Sequence, residues 1–61
     1  MLEYAKTILK KVSFDKKLFE KELIKSIKLL VANELKDFKA WCYDQFGHIY
    51  SAVLNKHLAN I

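Results

Sequence analysis

A single glycine and no proline in 61 residues constrain this chain more than any other feature. Glycine and proline punctuate a fold, because one admits left-handed backbone and the other removes a hydrogen-bond donor. A chain almost without them runs as helix nearly from end to end. The same scarcity argues against chemistry. Phosphate-cradling loops and nucleophile elbows turn sharply, usually on glycine, and only Gly47 is available.

Apolar spacing divides the helical chain. Leu2, Ala5, Ile8, Leu9 and Val12 repeat at helical steps and predict a first helix over residues 2–12. Ser13 and Phe14 interrupt it. Asp15 is a good N-cap for a second helix over about 16–32, and Phe14 and Phe19 have the spacing of a hydrophobic staple across its start. The apolar face of that helix is Phe19, Leu23, Ile24, Ile27, Leu30 and Val31; Leu18 and Leu29 fall on its polar side. Asn33 is the expected cap of a third helix, with Glu34 and Asp37 in its first turn. The stripe changes phase there and continues as Leu35, Phe38, Cys42, Phe46 and Ile49, which favours a break over one rod. Beyond Gly47, Tyr50, Val53, Leu54, His57, Leu58 and Ile61 keep helical spacing. The prediction is a single all-α domain over residues 1–61. It is a small bundle of a helical hairpin plus a long C-terminal helix bent at Gly47, or four helices if Gly47 ends one.

Such a short chain buries only about 60% of its extended-chain surface, and its net stability is roughly 3–5 kcal/mol. Small domains usually add disulfides, a metal or a partner. Cys42 is the only cysteine, and Cys42, His48 and His57 fall short of the usual four zinc ligands. No cofactor is expected. With 52% hydrophobic residues and little interior to hide them, a protein partner or a homodimer becomes the expectation. The opening stretch has lysines inside its apolar run, unlike a signal peptide, and no run approaches a membrane span. The expected location is the cytoplasm.

Every basic residue is lysine, a hydrated point charge without the planar fork of arginine that reads guanine. Residues 1–28 carry eight lysines against four acids, and the remainder is neutral. Lys17, Lys21, Lys25 and Lys28 form a ridge on the second helix. The ridge suits weak, sequence-independent binding to nucleic acid or another polyanion, although no aromatic side chain interleaves it as a stacking platform.

Five of eight aromatics crowd into residues 38–50. Rings at helical spacing are usually core, yet Trp41 and Tyr43 point away from the centre of the Leu35–Cys42–Phe46 stripe. Trp and Tyr are favoured at interface hot spots, so the sequence places the candidate partner surface at Trp41, Tyr43, Phe46 and Tyr50. Asp44 and His48, four apart, have the spacing of an oriented base, but no nucleophile is placed to use it. No catalytic residue is assigned, and a non-enzymatic interaction module is the leading expectation.

The segments YAKTILKKVSFDKKLFEKEL (residues 4–23) and LKDFKAWCYDQFG (residues 35–47) resemble short bacterial proteins of unknown function. The resemblance is of whole segments, not of a motif. It implies a small cytoplasmic helical protein and assigns no functional residue.

Overall fold

A computed structural model describes all 61 residues as three helices and no strand. They are α1 (Leu2–Val12), α2 (Lys16–Leu29) and α3 (Ala32–Leu58). Asp15 caps α2: its carboxylate accepts from the Leu18 amide at 3.1 Å. The staple beside it is not made. Phe14 is 80% exposed, while Phe19 turns inward and packs against Phe46 and Tyr50 with ring centroids 4.9 and 4.4 Å away. α2 ends at Leu29, earlier than its stripe suggested, because Leu30 turns extended and drops its side chain into the core. α3 starts two residues early, with Val31 rather than Asn33 at the N-cap. Asn33 still serves the first turn by accepting from the Glu34 amide at 3.0 Å, and the Glu34 carboxylate accepts from the Val31 amide.

One core joins the three helices. Ala5 and Leu9 enter from α1, Phe19 and Leu23 from α2, and Phe38, Cys42, Phe46, Val53, Leu54 and Leu58 from α3. The predicted face of α2 takes in one polar residue, Ser26, buried with its hydroxyl donating to the Glu22 carbonyl, and Val31, beyond the end of α2, is exposed.

α3 runs unbroken through Gly47 and bends three residues later, at Tyr50 (φ −121°, ψ 34°). Glycine freedom is therefore not what makes the bend. Tyr50 stacks on Phe19 and its hydroxyl donates to the Ser13 carbonyl at 2.6 Å. That carbonyl sits in the α1–α2 turn, so a side-chain tie across the molecule holds the helix where it departs from regular geometry. The bend also explains why Ile49 is exposed while Val53 and Leu54 are buried: the apolar stripe is re-phased beyond Tyr50.

Candidate functional site

The aromatic segment is used mainly inside the molecule. Phe46 is 6% exposed and belongs to the core. Tyr50 is committed to Phe19 and Ser13. Trp41 meets Phe46 edge-on at 5.5 Å, and the Lys6 and Lys10 ammonium groups lie over its ring at 5.7 and 6.0 Å. Tyr43 is half-buried and donates to the Asn55 side chain. Of the candidate surface at Trp41, Tyr43, Phe46 and Tyr50, Phe46 is buried in packing α3 onto α2, and Tyr50 is half-buried like Trp41 and Tyr43. Trp41 and Tyr43 keep only part of their surface.

Apolar side chains are presented elsewhere. α1 and α2 form a groove of about 230 Å³, with Met1, Tyr4 and Ile8 on one wall and Leu29 and Leu30 on the other. The small side chains Ala5 and Ser26 border it, and Glu22 and Lys25 stand at its edge. Met1, Tyr4 and Leu29 are each more than half exposed. Helical spacing explains how one helix serves two surfaces. On α1, Ala5 and Leu9 fill the core, while Met1, Tyr4 and Ile8, at steps of three and four, form a second stripe beside it. On α2, the steps 18, 22, 25 and 29 align Leu18, Glu22, Lys25 and Leu29. Leu18 and Leu29 were visible in the sequence as apolar residues off the core stripe. Met1 and Tyr4 carried the same signal, weakened by adjacency to the core positions.

The lysine ridge is exposed at all four positions, Lys17, Lys21, Lys25 and Lys28, and none of them forms an ion pair. Lys25 belongs to both features, since it stands in the ridge and lines the groove. The two surfaces are contiguous: Lys21 and Lys28 flank Lys25 by about one turn on either side, on the shoulder of the α2 wall.

Chemistry-bearing residues are dispersed. Cys42 is fully buried, and burial pushes its thiol up to about 12 against the pull of the Lys6 ammonium; it is a packed hydrophobe at neutral pH. Asp44 and His48 are both exposed, and the Asp44 carboxylate accepts from Gln45. His57 is tied instead to Glu20, with Nε2 and Oε2 2.7 Å apart and Lys56 Nζ at 3.7 Å from the same oxygen. A carboxylate only accepts, so Nε2 carries the proton in this bond. The bond holds the Glu20 carboxyl below the ordinary glutamate range, with help from Lys56 and against partial burial. Nothing local in the sequence couples Glu20 to His57, which are 37 residues apart.

Comparison with protein-family models, curated proteins and solved structures yields no match to this chain.

Proposed function

We propose that this protein is a non-enzymatic interaction module that docks a helical segment of another protein in the α1–α2 groove. The observation that carries the reading is the exposure of Met1, Tyr4 and Leu29 around one concave apolar surface. Isolated exposed leucines are ordinary, but these side chains converge. A helix in a groove is a common way to cover such a surface, using anchors at i, i+3 or i+4 and i+7. The volume, about 230 Å³, is smaller than the roughly 300–1,000 Å³ of small-molecule sites, which favours a few side chains of a partner over a cofactor.

The test is site-specific photo-crosslinking in host cells, with the probe at Tyr4 or Leu29 and a control at Ser51, exposed on α3. Discrete protein adducts from both groove positions and none from Ser51 are expected. Adducts from all three positions alike, or from none, would refute the assignment.

The unpaired ridge supports a second reading, weak binding of nucleic acid or another polyanion through Lys17, Lys21, Lys25 and Lys28. It predicts an affinity for single-stranded oligonucleotides that falls steeply with salt. Affinity that is salt-insensitive, or absent at low salt, would exclude it.

A further inference from the structure

We infer that the partner of the α1–α2 groove is an acidic amphipathic helix, its apolar stripe lying between Tyr4 and Leu29 and its carboxylates meeting Lys21, Lys25 and Lys28. This rests on the groove being a docking surface, as proposed above, and adds the chemistry of the occupant.

Charge decides between occupants. The groove is apolar along its walls, and its α2 shoulder carries Lys21, Lys25 and Lys28 against the single acid Glu22 at the edge. All three lysines are exposed and unpaired. Elsewhere the molecule does engage lysines: Lys6 with Glu3 and Trp41, Lys10 with Trp41, Lys56 with Glu20. Lys36 is also unpaired, beside Ala32, Leu35 and Ile61, but the α2 shoulder is where three unpaired lysines stand together beside apolar surface. Acidic side chains at i, i+3 or i+4 and i+7 of a docked helix recur at about the spacing of Lys21, Lys25 and Lys28.

A second copy fits less well. Two identical grooves meeting across a two-fold axis present the same patch to each other, which brings two lysine shoulders into one interface, and like charges oppose that pairing. A lipid surface also fits less well. The apolar side chains line a concavity, whereas a bilayer needs an apolar face that protrudes into it. The length of the site follows from α1, which at eleven residues spans about 16 Å; an occupant of about three turns covers it.

The experiment is selection of a displayed library of helical peptides, about four turns long and randomised at every position, on the intact chain. Enriched peptides are then measured by fluorescence anisotropy. We expect an enriched apolar stripe at i, i+3 or i+4 and i+7 with Asp and Glu on one flank. Leu29→Gln, neutral and on an exposed position, weakens the selected peptide at least tenfold. The triple variant Lys21→Glu, Lys25→Glu, Lys28→Glu weakens it comparably and binds a version with Lys in place of its acids. Tyr4→Gln replaces Leu29→Gln if circular dichroism shows that the latter has lost helix.

Helices enriched without an acidic flank, or indifferent to the triple variant, overturn the charge assignment and leave the groove reading standing. Binding that ignores both Leu29→Gln and Tyr4→Gln, or no enriched stripe at all, overturns both. Sedimentation of the free chain as a dimer that Leu29→Gln dissociates makes the occupant a second copy and overturns the acidic partner. Capture by phosphatidylserine vesicles that Leu29→Gln abolishes, with no peptide enriched, makes the surface a lipid face and overturns both.

Discussion

Gly47→Ala should stabilise this protein. Gly47 lies inside α3 with no positive φ, so its backbone is open to any L residue. A methyl added there meets only Tyr43 Cδ1, at 4.0 Å, which is ordinary van der Waals contact. The gain has two sources. Glycine in a helix interior costs about 1 kcal/mol relative to alanine, chiefly because the unfolded chain gives up more freedom. Contact with the Tyr43 ring adds a fraction of the ~0.8 kcal/mol of a buried methylene. The total is about 1 kcal/mol against the roughly 3–5 kcal/mol available to a domain of this size. With an unfolding entropy near 2.1 cal/mol/K per residue, that raises Tm by about 8 °C. Thermal melts followed by circular dichroism at 222 nm, with urea titration as a second measure of stability, test it. An unchanged or lower Tm would refute the reasoning: it would mean that α3 flexes at Gly47 in solution and that the tie at Tyr50 is not what holds the bend.

Four further outcomes follow from the packing and the shifted carboxyl and thiol groups. Tyr50→Phe removes the hydrogen bond to Ser13 and should cost about 1 kcal/mol, read as a lower urea midpoint; an unchanged midpoint would show that the hydroxyl does not hold the bend. Cys42 should resist a thiol reagent such as dithionitrobenzoate until the protein unfolds, since its thiol is buried; a prompt native-state reaction would contradict the burial. Because its thiol is raised to about 12 in the fold, the unfolded chain releases the proton first, so stability is full below the ordinary thiol range and falls above it by about 1.4 kcal/mol per pH unit. Cys42→Ala should lose that alkaline slope, whatever its effect at neutral pH. The Glu20 carboxyl is shifted in the other sense: its depressed value supplies stability above the ordinary glutamate range that is lost as pH falls through the folded value. Glu20→Gln should therefore flatten the acid limb of the stability curve, and an unaltered limb would exclude the His57 bond as its source.

The helices were legible because local rules govern them. The α1 stripe, the Asp15 cap and the apolar positions from Tyr50 to Leu58 each act within a turn or two, and the structure keeps them, while Ile61 falls beyond the helix and is exposed. What was not legible depends on neighbours distant in sequence. Phe14 and Phe19 have staple spacing, but Phe19 finds better partners in Phe46 and Tyr50. Gly47 looked like the bend, yet the tie that holds one belongs to Tyr50 and needs Ser13. Clustering of the aromatics suggested a surface, although three helices of this length need several large rings simply to fill the space between them. Leu29 was visible as an apolar residue on a polar face; that Met1 and Tyr4 stand opposite it became clear only once α1 and α2 were placed side by side.

The ties Tyr50–Ser13 and His57–Glu20 each join residues 37 apart, one at the bend and one in the last turn of α3. The hairpin of α1 and α2, by contrast, closes over a three-residue turn. Contacts near in sequence form early because little chain entropy is lost in closing them. The expected order of assembly is therefore the hairpin first and the segment after Tyr50 last. The same order, reversed, predicts that this segment opens as one unit in the native ensemble, exposing Val53, Leu54 and Leu58 together. Its amides, from Ser51 to Leu58, should exchange with deuterium as a group, faster than those of Phe19 and Leu23 at the centre of the hairpin.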